Sequence, residues 1–93
     1  MREKTIEQKF VAAVRAAGGL ALKITSPGFD GVPDRIALLP GGKMAFVEVK
    51  AEGKKPRPLQ LARHRLLRRL GFQVYVLDDE SQIGGMVNEI QSA

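Results

Sequence analysis

The stretch from Asp34 to Lys50 leaves this chain few folds to choose from, and its end, Phe46-Val47-Glu48-Val49-Lys50, is the sharpest constraint. Residues two apart on a β-strand point the same way. Glu48 and Lys50 therefore share a face with Met44 and Phe46, while Ala45, Val47 and Val49 share the other. A strand that starts apolar on both sides thus ends with a carboxylate beside an amine. Upstream, Pro33-Asp34 puts a second carboxylate at the mouth of another apolar run, Arg35 to Leu39. Two carboxylates and a nearby lysine can hold a divalent metal and an activated water.

The rest of the sequence sets bounds. A chain of 93 residues is expected to form one domain, residues 1–93, with a modest core. It has no cysteine, which excludes disulfides and thiolate metal sites. No apolar run approaches the roughly 20 residues that cross a bilayer, so a soluble, intracellular protein without a membrane partner is expected. The net charge of +5 favours an anionic partner, nucleic acid first.

Taken in order, Ile6, Phe10, Ala13, Val14 and Ala17 recur at helical steps, predicting a helix over Thr5–Ala17 that Gly18-Gly19 stops. Thr5 and Gln8 have the spacing of a capping box. Glu7 flanks the buried stripe and reads on its own as a solvated first-turn glutamate. Leu20–Thr25 reads as a strand, and Ser26–Pro33 as a loop dense in Pro and Gly. Asp34–Leu39 and Met44–Lys50 form a hairpin through Pro40-Gly41-Gly42-Lys43. A two-residue turn at Gly41-Gly42 would put Asp34 opposite Val49, on the wrong face. For Asp34 to join Glu48, the connection must be odd in length, carry a bulge, or leave Asp34 outside the ladder. Pro58 opens a second helix that runs to about Leu70, with Leu59, Ala62, Leu66 and Leu70 as its buried stripe. Phe72–Leu77, apolar on both faces, reads as an internal strand. Asp78-Asp79 is a turn, and Ser81 caps a last helix through Ile90 that Gly84-Gly85 weakens. The order α-β-β-β-α-β-α implies an α/β fold, a mixed sheet flanked by helices with a right-handed crossover before its fourth strand.

Taken singly, Glu-x-Lys on a strand reads as an exposed ion pair and Pro-Asp as a turn. Together, at the ends of neighbouring strands behind a glycine-rich loop, they match the needs of phosphodiester hydrolysis: an activated water and stabilisation of negative charge at phosphorus. Gly31-Val32-Pro33-Asp34 followed by Glu48-Val49-Lys50 resembles the PD-(D/E)xK nuclease signature. With Glu7 on the first helix and Gln60 beyond the basic loop, the chain resembles more narrowly the VRR-NUC family, virus-type replication-repair nucleases whose small standalone members are typical of phages and prophages. The resemblance implies a restriction-endonuclease-like core and Mg²⁺ or Mn²⁺ as cofactor. It implies Asp34, Glu48 and the Val49 carbonyl as metal ligands, with Glu7 reaching the metal directly or through water. Lys50 would position the attacking water, and Gln60 would hydrogen-bond within the site. It further implies a homodimer acting on branched DNA, four-way junctions above all, in the cytoplasm of a bacterial host.

Lys54, Lys55, Arg57, Arg63, Arg65, Arg68 and Arg69 form the densest basic region. It reads either as a solubilising face or as a phosphate-contacting one, and the Lys54–Arg57 loop, leaving the site directly after Lys50, favours DNA there. His64, among these arginines, reads as a surface residue without a catalytic role. Tyr75 reads as core or dimer packing. Less specific flap or duplex cleavage, and a non-catalytic DNA-binding module, are the alternatives.

Overall fold

The computed structural model describes residues 1–93. It runs α1 (Glu3–Ala16), β1 (Leu20–Lys23), β2 (Arg35–Leu39), β3 (Lys43–Val49), α2 (Pro58–Arg69), β4 (Val74–Leu77), a short 3₁₀ turn (Glu80–Gln82) and α3 (Ile83–Ser92). This is the expected order. The four strands lie side by side in sequence order; β1–β2 and β2–β3 are antiparallel and β3–β4 is parallel. Antiparallel neighbours are joined by short connections, whereas the parallel pair needs the α2 crossover.

Three residues, Pro40, Gly41 and Gly42, separate the paired Leu39 and Lys43. The odd length puts Arg35 opposite Val47, so one further step of the ladder brings Asp34 to Glu48. Asp34 also lies just outside the regular strand. The connection therefore meets the geometric condition on which the two carboxylates depend.

Alternation along the strands gives the sheet two unlike faces. One carries Ala37, Leu39, Ala45, Val47, Val49 and Leu77 under α1 and α3, which contribute Ile6, Phe10, Val14, Ile83, Met86, Val87 and Ile90. These form one continuous apolar core, in which each fully buried large aliphatic or aromatic side chain is worth about 1.5–3 kcal/mol. The other face is covered only where α2 packs beside β4. Farther along it, Leu20, Leu22 and Leu38 reach solvent. The chain passes from α1 into β1 at Gly19, whose amide donates to the Val14 carbonyl at 2.9 Å. A Cβ at Gly19 would stand 2.1 Å from the Leu38 carbonyl oxygen, so only glycine lets β1 approach β2 there.

Several local expectations need correction. α1 begins at Glu3 behind Arg2, with no side-chain cap, because the stripe of Ile6 and Phe10 can anchor the helix without a Thr5 box. The last helical segment is capped by Asp79, whose carboxylate accepts from the Ser81 amide at 2.9 Å, rather than by Ser81. β4 is an edge strand, not an internal one. It is apolar on both faces because helices cover both. The stripe assigned to α2 fails at its two ends: Leu59 and Leu70 are exposed, Ala62 and Leu66 are half-buried, and the buried residues of this helix are Gln60 and His64.

Candidate active site

Glu48 is the centre of the site. It projects from the end of β3 away from the apolar core, toward α2, and is fully buried. Four side chains surround it. Lys50, two residues on and therefore on the same face, brings Nζ to 3.6 Å from Oε2. Gln60 donates from Nε2 to Oε2 at 3.1 Å. His64 Nε2 stands 3.4 Å from Oε1, a long contact. The Asp34 carboxylate is near enough to strengthen the hold of Glu48 on its proton.

The backbone fixes each of these groups. Asp34 is held twice: its carbonyl accepts from the Ile24 amide at 2.9 Å, and its Oδ2 accepts from the Val49 amide at 2.8 Å. The second bond ties the two carboxylate-bearing strand ends together. Gln60 sits in the first turn of α2, where its Oε1 accepts from the Arg57 amide at 2.8 Å. That bond caps the helix and leaves the amide NH₂ aimed at Glu48. His64 follows one turn later on the same helical face. The loop ahead of Asp34 is pressed onto α2 at Gly31, which has φ +86° and would place a Cβ 2.8 Å from Leu59 Cγ. A side chain there would meet both a strained backbone and a steric clash.

Burial pushes the Glu48 carboxyl from 4.5 up to about 8; the Asp34 carboxylate adds to the rise and the Lys50 ammonium opposes it. Burial, helped by the positive charges of Arg68 and Lys50, pulls His64 below its usual value, so its ring is neutral near pH 7. Ionising Glu48 beside Asp34 would set two carboxylates against the single Lys50 ammonium in contact with Glu48. Two hard carboxylates, one of them buried, and the adjoining backbone oxygen of Val49 are the donor types that Mg²⁺ or Mn²⁺ takes. A divalent cation would offset the burial and the Asp34 repulsion that raise Glu48, and so favour its ionised form. These residues fit such an ion.

Not every expected residue joins this cluster. Glu7 faces the opposite side of the sheet end, where its carboxylate accepts from Arg35 Nε at 2.8 Å. Arg35 also donates to the Ala21 carbonyl at 3.0 Å. The acidic cluster therefore contains Asp34 and Glu48 without a third member. Lys54, Lys55 and Arg57 are exposed on the loop leaving the site, and Arg65 and Arg69 are exposed on α2. Arg68 is committed to the fold, donating to the Val74 carbonyl at 2.8 Å. Tyr75 donates to Glu89 at 2.6 Å, joining β4 to α3. His64 is the site residue that sequence reasoning placed on the surface. The available signal was its position four residues after Gln60, which puts both on one face of the helix.

A mixed four-stranded sheet with helices on both faces, and Asp34, Glu48 and Lys50 gathered at the ends of two adjacent strands, define a PD-(D/E)xK-type core. No family model matches the chain. It is, however, 54% identical over 80 residues, 86% of each sequence, to a protein of Acyrthosiphon pisum secondary endosymbiont phage 1 named "Putative nuclease p44". A solved structure described as a VRR_NUC domain superposes with a TM-score of 0.86 at 31% identity, covering 95% of this chain and 97% of the other. The chain belongs to the VRR-NUC family, and the nuclease class expected from its sequence holds. No helix is long and apolar enough to cross a membrane.

Proposed function

We propose that the protein is a Mg²⁺- or Mn²⁺-dependent DNA endonuclease that hydrolyses phosphodiester bonds in branched DNA, four-way junctions in particular, as a homodimer in the host cytoplasm. The observation that carries the reading is the buried Glu48 carboxylate, set against Asp34 on one side and Lys50 on the other. Asp34, Glu48 and the Val49 carbonyl would hold the ion. When bound, the ion supplies Lewis-acid polarisation of the phosphate and of a water. The chain's own groups do the rest. Lys50, with only 16% of its side chain exposed, orients the attacking water and offsets charge on the phosphate oxygens. Gln60 and His64 fix the Glu48 carboxylate from the α2 side.

The exposed Lys54, Lys55 and Arg57, one short loop beyond Lys50, lie on the natural path for flanking phosphates, and exposed Arg65 and Arg69 extend the positive surface. Such contacts make binding steeply salt-dependent and insensitive to base sequence. Support for the dimer comes from the sheet face that α2 leaves open. There Leu20 pairs with Leu38 and Leu22 follows two residues on, an apolar surface that a second copy can cover.

The test is cleavage of a labelled four-way junction and the matching linear duplex, with Mg²⁺, Mn²⁺ or EDTA. Metal-dependent nicking of the junction, weak on the duplex, is expected. Equal cleavage of both substrates would replace junction selectivity with general duplex activity. Binding without cleavage in either metal would reduce the protein to a DNA-binding module.

A further inference from the structure

Beside the active site lies a surface that neither metal binding nor phosphate neutralisation explains. Ser26, Pro27, Gly28 and Phe29 form a tight turn, closed by the Phe29 amide donating to the Ser26 carbonyl at 3.2 Å. Phe29 leaves this turn with 43% of its surface exposed. The Arg63 guanidinium lies over its ring, 3.9 Å from the centroid. Arg63 is itself held by donating from Nε to the Asp30 carbonyl at 2.8 Å. Leu59, 46% exposed, packs against the same loop at Gly31. An aromatic ring, a guanidinium plane and an aliphatic side chain thus form one supported surface.

Its location is set by the helix. Leu59 and Arg63 immediately precede Gln60 and His64, the two α2 residues that touch Glu48. The inner residue of each pair meets the catalytic carboxylate, while Leu59 stands against Gly31 and Arg63 carries Phe29. The loop bearing Phe29 continues into Asp34. A strand whose phosphate reached Glu48 and Asp34 would therefore have its nearest bases beside this surface. Lys54, Lys55 and Arg57 come directly before the first turn of α2, which carries Leu59.

A base paired within a duplex hides its face in the stack, whereas an unpaired base exposes it. Aromatic rings and guanidinium planes bind such faces with little regard to sequence. We propose that Phe29, buttressed by Arg63, is a stacking subsite for an unpaired nucleobase next to the scissile phosphate. The subsite rests on the nuclease reading and favours DNA with a single-stranded arm, or a junction whose branch-point pair has opened, over continuous duplex, which offers no free base there.

Phe29→Ala, Phe29→Leu and Phe29→Trp test it, and the last adds the chain's only tryptophan. Binding of a forked DNA and of a blunt duplex is measured in EDTA at fixed salt, with thermal melts to check folding. Alanine and leucine should weaken fork binding about 10-fold, within the range for one stacked base, and leave duplex binding within about 2-fold. Tryptophan should retain fork binding, and its fluorescence should be quenched by the fork but not by the duplex. Equal losses on both substrates, or tryptophan fluorescence that ignores a bound fork, would overturn the subsite. Wild type that neither binds these DNAs in EDTA nor cleaves them in Mg²⁺ or Mn²⁺ would overturn the nuclease reading on which it rests.

Discussion

Glu48 makes the metal-free protein's stability depend on pH in an unusual direction. Its carboxyl is raised from 4.5 to about 8, chiefly by burial and then by Asp34. A group whose folded pKa is raised holds its proton more tightly when folded. The stability linked to it is fully present below about pH 4.5 and is lost as pH rises through about 8. A tenfold gain in proton affinity is worth about 1.4 kcal/mol, so the rise sets a ceiling of roughly 5 kcal/mol. A loss of about 2–4 kcal/mol between pH 5.5 and 8.5 is expected. Urea unfolding in EDTA across that range measures it, with Glu48→Gln beside wild type. The variant, which cannot ionise there, should vary far less with pH. Mn²⁺ added at the alkaline end should restore wild-type stability and not that of the variant. Wild-type stability that is flat or rising over this window, or an identical slope in Glu48→Gln, would refute the picture of a buried carboxylate whose charge awaits a cation.

Other expectations follow from the same geometry. Gly31→Ala combines a positive φ with a Cβ 2.8 Å from Leu59, and should cost about 2 kcal/mol or more in urea unfolding while lowering cleavage through displacement of Asp34. Tyr75, the only tyrosine, has its phenol pushed up to about 12 by burial and by its bond to Glu89. Ultraviolet titration of the phenolate should show that late midpoint, and Glu89→Gln should lower it. The linked stability is intact below about pH 10 and is lost as pH rises through about 12.

The site was legible where it depends on strand parity and obscure where it depends on which helix face turns inward. Glu48 and Lys50 had to share a face, and counting along the hairpin showed what connection could bring Asp34 to them; Pro40, Gly41 and Gly42 provide it. Helix α2 defeated the same style of reasoning. Its leucines recur at helical spacing, yet the helix covers only the β4 side of the sheet, so burying Leu59 and Leu70 is unnecessary. Its inner face is polar because it closes over Glu48, and Gln60 and His64 occupy it. Apolar periodicity finds a core-facing stripe and is silent about a face that seals a charged site. Glu7 shows a second limit. Resemblance placed it near a metal, but only the folded chain reveals Arg35 on the same side of the sheet as its partner.

The central claim is that Asp34 and Glu48 hold a divalent ion and that Lys50 works on the water beside it. Calorimetric titration of Mn²⁺ into wild type, Asp34→Asn, Glu48→Gln and Lys50→Ala, paired with junction cleavage by the same four proteins, tests it most directly. The account predicts that both carboxylate variants lose metal binding and cleavage together. Lys50→Ala should keep binding within about 3-fold, a change of under 1 kcal/mol, and still lose cleavage. Unchanged Mn²⁺ binding in Glu48→Gln, or full cleavage by Lys50→Ala, would contradict it.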